Sequence, residues 1–149
     1  MKGRTKLDVT CRLLPHEKFP EALAIRVKVF VEEQHVPLEE ERDAYDDTAL
    51  HFGAFVDGKM VGTGRVVLMD KKGKIGRVAI LPEYRGLGIG TKIMETIMQT
   101  CREHKLDEVV LGAQLQALDF YEKLGFTAEG AVFDDGGIPH RLMRRPLSP

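Results

Sequence analysis

Ile75-Gly76-Arg77-Val78-Ala79-Ile80-Leu81-Pro82-Glu83-Tyr84-Arg85-Gly86-Leu87-Gly88-Ile89-Gly90-Thr91 is the stretch on which the reading of this chain turns. Residues 77–81 have the composition of a buried strand, Pro82 sets a turn, and residues 85–90 form a glycine-rich corner that opens onto an amphipathic helix. The first N–H groups of a helix have no partner inside it, so a strand, glycines and a helix start together offer a row of donors to a phosphate. The expectation is a phosphate-bearing ligand at residues 86–91.

The flanking chain builds a mixed α/β order around that corner. Residues 9–14 read as a first strand ended by Pro15, and Phe19, Leu23, Val27, Phe30 and Val31 recur at helical spacing, predicting a helix over residues 19–33. Residues 37–48 are strongly acidic and are expected to form a mobile, solvated loop. Residues 51–56 and 59–68 flank Asp57-Gly58, a hairpin turn, and a second turn at residues 70–73 leads into the central strand. After the corner, Ile89, Ile93, Met94, Ile97, Met98 and Cys101 make one apolar stripe, a helix over residues 88–104. Residues 108–113 then form a strand parallel to the central one through a right-handed β-α-β crossover. A short helix over residues 115–124 is capped by Gly125, and residues 126–133 and 138–147 form a terminal hairpin across residues 134–137.

Composition sets the frame for this order. A chain of 149 residues suits one domain, residues 1–149, and buries roughly two-thirds of its unfolded surface. With 43% hydrophobic and 30% charged residues and a formal charge of −1, neither nucleic acid nor an anionic membrane is indicated as a partner. Cys11 and Cys101 lie far apart without metal-ligand spacing, so neither a disulfide framework nor a metal site is expected. The basic N-terminal residues lack the apolar run of a signal peptide, and the expected setting is the cytoplasm.

Three kinds of phosphate site are compared at the corner. A nucleotide-triphosphate loop needs Gly-Lys followed by Ser or Thr, whereas Gly90-Thr91-Lys92 displaces the lysine onto the helix. A dinucleotide site needs Gly-x-Gly-x-x-Gly in the first β-α unit and an acid at the end of the next strand, and Glu108 stands at its start. Arg85-Gly86-Leu87-Gly88-Ile89-Gly90 instead resembles the Arg/Gln-x-x-Gly-x-Gly/Ala pattern of the GNAT (Gcn5-related N-acetyltransferase) superfamily. Residues 117–126, Ala-Leu-Asp-Phe-Tyr-Glu-Lys-Leu-Gly-Phe, resemble its Ala-x-x-Phe-Tyr-x-x-x-Gly-Phe segment. Residues 29–37 and 137–140 look like those of a small bacterial branch of mostly uncharacterised members.

The resemblance implies a mixed, mostly antiparallel sheet with one parallel β-α-β unit and an acetyl-CoA site where the central strand splays from its parallel neighbour. Carried onto this chain, the N–H groups of Arg85, Gly86, Leu87, Gly88, Ile89, Gly90 and Thr91 hold the pyrophosphate. Backbone groups of Val78, Ala79 and Ile80 line the pantetheine arm, and Gln114, where many relatives carry Asn, keeps a hydrogen bond to that arm or to the helix start. Lys92 or Lys123 reaches the adenosine phosphate, unless each is a surface lysine.

The reaction implied is direct attack of a primary amine on the thioester. Tyr121 matches the general acid of the family, and the N–H of Val78 is suited to receive the charge that gathers on the thioester oxygen. The base is open among Glu33, Asp47, His51 and His140, with Glu33 and His140 leading and a water chain as the substitute. The implied partner is a small-molecule or peptide amine, and a homodimer stays open. A non-catalytic acyl-CoA-binding module is the alternative. The acidic loop raises a polyamine, an amino sugar or a lysine side chain as acceptor.

Overall fold

The computed structural model describes residues 7–147. Seven strands form one sheet in the order β1-β2-β3-β4-β5-β7-β6. They are β1 (Val9–Leu13), β2 (Leu50–Val56), β3 (Lys59–Met69), β4 (Lys72–Ile80), β5 (Glu108–Gln114), β6 (Thr127–Asp135) and β7 (Ile138–Pro146). Every pairing is antiparallel except β4 with β5. The helices are α1 (Phe19–Arg26), α2 (Leu38–Glu41), α3 (Ile89–Glu103) and α4 (Leu118–Lys123). Among the described residues no helix is long and apolar enough to cross a membrane.

The apolar stripe of α3 is its buried face: Ile89, Ile93, Met94, Ile97, Met98 and Cys101 all lie in the core. Burial of each large side chain contributes about 1.5–3 kcal/mol. Gly62 and Gly64 let this helix close on β3, because a Cβ there would stand 3.1 Å from Ile93 Cδ1 and 3.0 Å from Ile93 Cγ2. Side chains alternate along a strand, so Thr63 and Arg65 point to the opposite face. That face carries α1, whose Ala22, Ile25 and Arg26 are buried.

The hairpin at Asp57-Gly58 forms as the sequence requires, with φ of 51° and 79° at the turn residues. The last hairpin turns at Gly136-Gly137, with φ of 63° and 81°, and Asp134 and Asp135 belong to paired strand rather than to the turn.

Two expectations are corrected. The first helix is not α-helical to residue 33: after Arg26 it widens into a π-helical segment, Val27–Glu33, whose end is held by Gln34 N–H on Val29 O at 3.1 Å. The acidic stretch after Pro37 is not a solvated, mobile loop. It forms α2 and a 3₁₀ segment, Ala44–Asp47, with Glu41 and Asp46 buried. Three arginines on other elements, Arg26, Arg65 and Arg77, draw this strap onto the sheet.

Candidate active site

The central strand is where the sheet opens. Parallel pairing joins only Lys72, Gly73 and Lys74 of β4 to Glu108, Val109 and Val110 of β5. Beyond Lys74, β4 has no strand partner on that side among the described residues. On its other edge Gly76 faces Arg65 and Ala79 faces Thr63, so Arg77 and Val78 together oppose Gly64. This is a β-bulge, which kinks the strand and increases its twist. Arg77 sits there at φ 53°, a left-handed conformation that costs a side-chain-bearing residue about 1–2 kcal/mol. Its guanidinium holds the bulge by donating to Glu41 O from Nε at 3.0 Å and from Nη2 at 2.9 Å, and to Asp43 Oδ2 at 3.2 Å.

The glycine corner divides its glycines between two tasks. Gly86 and Gly88 have φ of 75° and 83°, and a Cβ on either would meet nothing within 4 Å. Gly88 is the residue before α3, and among the described residues no side chain caps the helix there, so the first-turn donors have no side-chain partner. Gly90 serves packing instead, since a Cβ there would come within 3.3 Å of Phe120 Cζ. The open cradle and the unclaimed donors suit a pyrophosphate. Leu87 is exposed at the tip of the corner, Ile89 is buried beneath it, and Ala79, expected beside the cofactor arm, is buried in the core with its carbonyl on the β3 side, 3.3 Å from a Cβ built on Gly62.

The side chain of Arg85 folds back from the corner. Nε donates to Ile80 O at 3.0 Å, and the two terminal nitrogens form a bidentate pair with Glu33 at 2.6 and 2.7 Å. The Ile80 carbonyl, expected to face the cofactor arm, therefore carries Arg85 in this structure. Lys92 and Lys123 are exposed, and neither forms a salt bridge among the described residues.

A cavity of about 590 Å³ lies at the splay, and Val78, Gln114, Tyr121 and His140 all line it. Tyr121 is held edge-on by Phe120 and Phe126, with ring centroids at 4.9 and 5.9 Å. Burial pushes its phenol up to about 12, so the proton is retained at neutral pH. Gln114 Nε2 donates to Gln34 Oε1 at 3.0 Å, and Gln114 Oε1 accepts from Gln116 Nε2, which ties the end of the first helix to the end of β5.

His140 is 8% exposed and stacks on Phe133 at 5.8 Å. Its Nδ1 lies 2.7 Å from Ile138 O, a carbonyl that only accepts, so Nδ1 carries the hydrogen of the neutral ring. Nε2 is left with a lone pair and, among the described residues, no partner. The other leading base candidate, Glu33, does not line the cavity. Its carboxylate is spent on Arg85, whose hydrogen bonds hold it below the usual carboxylate range and make it a weaker proton acceptor. His51 and Asp47 also lie off the cavity: His51 Nε2 meets Asp46 O at 3.0 Å and its ring packs on Phe19.

The feature that sequence reasoning missed is the ion network under the cavity wall. Arg26 binds Glu41 and Asp46, and Arg65 binds Asp43 and Asp46, at 2.7 to 2.8 Å. Of the acids expected to attract a cationic acceptor, Glu41, Asp43 and Asp46 are thus occupied from within. A signal was present in Arg26, set among the core positions of α1, and in Arg65, inside an otherwise apolar strand.

The family model described as "Acetyltransferase (GNAT) domain" matches residues 16–147. The uncharacterized protein YyaT of Bacillus subtilis (strain 168) is 36% identical over 140 residues, covering 92% of this chain and 95% of its own. The uncharacterized N-acetyltransferase YjcF of the same organism is 35% identical over 130 residues, with 87% and 93% covered. The crystal structure of an acyl-CoA N-acyltransferase from Pseudomonas aeruginosa superposes with a TM-score of 0.80 at 32% identity, over 94% of this chain and 99% of that one. The family model covers most of the described residues and these relatives nearly the whole chain, and the chain belongs to the GNAT family of acyltransferases.

Proposed function

We propose that this protein transfers an acetyl group from acetyl-CoA to a primary amine, with His140 taking the proton of the amine and Tyr121 giving one to the departing sulfur. The observation that carries this reading is that the free Nε2 of His140 and the protonated phenol of Tyr121 belong to residues lining one cavity at the opening of the sheet. The first turn of α3, with Gly86 and Gly88, holds the pyrophosphate, and the unpaired edge of β4 receives the pantetheine arm as an added strand. For that arm to reach Ile80 O, Arg85 has to swing away.

An alkyl amine of pKa about 10.4 arrives protonated, and a thiolate of pKa about 8.5 is a moderate leaving group. His140 accepts the amine proton through Nε2, directly or through one water, while Nδ1–H stays on Ile138 O. The Val78 N–H, on the bulge, donates to the thioester oxygen as charge gathers there. As the carbon–nitrogen bond forms and the carbon–sulfur bond breaks, Tyr121 supplies a proton to the sulfur. The burial that raises the phenol also raises the proton affinity of a thiolate beside it, which keeps the transfer balanced. The nitrogen gives up its second proton as the amide forms, which returns the Tyr121 phenolate to the phenol, His140 passes its proton to solvent, and the products are an amide, free coenzyme A and one proton.

Thiol release from acetyl-CoA over a panel of primary amines tests the reading. Release above the protein-free rate with at least one amine is expected. Coenzyme A binding without release for any amine would instead identify a non-catalytic acyl-CoA-binding module.

A further inference from the structure

The cavity contains a vacancy that the proposed chemistry leaves without an occupant. Lys74 and Gly76 lie on the same face of β4, since side chains alternate along a strand, and both line the cavity with Arg77, which the bulge brings beside them. A Cβ built on Gly76 would meet nothing within 4 Å. Gly76 has no left-handed φ, so its lack of a side chain is not required by the backbone. It leaves open space between two cationic residues.

Neither cation is fully used. Among the described residues, Lys74 Nζ makes no hydrogen bond and no salt bridge. Arg77 spends Nε and Nη2 on the strap, and Nη1 has no partner there. Burial, and then the charges of Arg65 and Arg26, push the Arg77 guanidinium below its ordinary range.

Besides the paired strap residues and the residues already given roles, two further groups line the cavity. Glu40 and Asp135 line the cavity with exposed carboxylates that have no cationic partner among the described residues. Phe30, Val36, Val67, Met69, Ile138 and Leu142 give it apolar walls. A polyamine would find no use for Lys74 and Arg77, and a plain alkyl amine would leave the vacancy over Gly76 to water. A zwitterion with an apolar side chain matches all three linings.

We propose that the acceptor is a free α-amino acid with an apolar side chain, its carboxylate seated over Gly76 between Lys74 and Arg77. This rests on the acyl-transfer reading above. The ammonium loses one proton to His140, directly or through water, and the nitrogen forms the amide bond; the carbon–sulfur bond breaks, Tyr121 protonates the sulfur and recovers its proton from the nitrogen, and the products are an N-acetyl amino acid, coenzyme A and one proton.

Matched acceptors test the carboxylate directly: leucine, leucinamide and isopentylamine, compared by thiol release from acetyl-CoA. The acid is expected to exceed both others in kcat/KM by at least about tenfold, the scale of one charge-assisted hydrogen bond. Two variants act on the vacancy in different ways. Lys74→Met removes charge and Gly76→Val removes space, and each is expected to shrink the preference for leucine over isopentylamine about tenfold. Equal or faster turnover of isopentylamine or leucinamide overturns the amino-acid acceptor while leaving acyl transfer intact. A preference for leucine that survives both variants overturns the placement over Gly76. No release with any amine overturns the acyl-transfer reading itself, and this proposal with it.

Discussion

Arg26 on α1 and Glu41 on α2 meet in the protein interior, Nε to Oε2 at 2.7 Å, with each side chain 1% exposed. Two charges out of water are costly unless paired and hydrogen-bonded, and here the pairing extends to Asp46, Arg65, Asp43 and Arg77. The network ties the acidic strap to the β4 bulge. Glu41 is its hub, accepting from Arg26 through the side chain and from Arg77 through the backbone carbonyl.

Arg26→Met removes the cation that serves both Glu41 and Asp46. Breaking a buried pair from one side costs about 3–5 kcal/mol, to be read as a lower urea midpoint with an unchanged slope. A loss below about 1 kcal/mol would show that the strap carries little of the stability.

The same network sets the acid limit of the fold. Burial alone would raise the Asp46 carboxyl, but hydrogen bonds from Arg26 and then Arg65 reverse this and hold it well below the carboxylate range. A depressed folded pKa contributes stability above the unfolded value of about 3.9 and loses it as pH falls toward the folded value. Urea midpoints are expected to be level from pH 7 to about 5 and to fall below about pH 4. Asp46→Asn should start less stable and show a shallower acid slope; an unchanged slope would assign acid unfolding to other groups.

Tyr121→Phe keeps the ring packed on Phe120 and Phe126 and deletes only the hydroxyl. Turnover is expected to fall about 100-fold, in the range of a lost general acid, with coenzyme A affinity within about twofold of the parent by calorimetry. Turnover within about threefold of the parent would leave the departing thiolate to water.

His140→Gln and Glu33→Gln separate the two candidate bases. The first is expected to lower kcat about 100-fold at constant coenzyme A affinity. The second frees Arg85 from its bidentate pair and is expected to act mainly on the affinity for coenzyme A, because Arg85 also holds Ile80 O. The reverse pattern would move the base to Glu33.

Gly88→Glu forces a side chain onto φ 83° and sets a carboxylate beside the unclaimed donors of α3. Coenzyme A affinity is expected to drop more than about 100-fold, with a melting temperature that shows the chain still folded. Unchanged affinity in a folded variant would move the pyrophosphate away from this corner.

Much of the molecule was legible in short stretches of sequence. The stripe from Ile89 to Cys101, the Asp57-Gly58 turn and the glycine corner each depend on residues within a turn or two of one another, where φ preference and helical spacing act. Tyr121 and the Gly125 cap came from such a local motif. The bulge did not, because Arg77 adopts φ 53° against its own preference and is held there by Glu41 and Asp43 from another part of the chain. The strap was misread for the same reason. Six acids in residues 37–48 look solvated until Arg26, Arg65 and Arg77 are brought to three of them, Glu41, Asp43 and Asp46. The tertiary structure also separated Glu33 from His140: the first is captured by Arg85, 52 residues away, and the second is turned by its own strand into the cavity with Nε2 free. Which charges are spent and which remain for chemistry depends on distance in space, and spacing along a chain does not encode that distance.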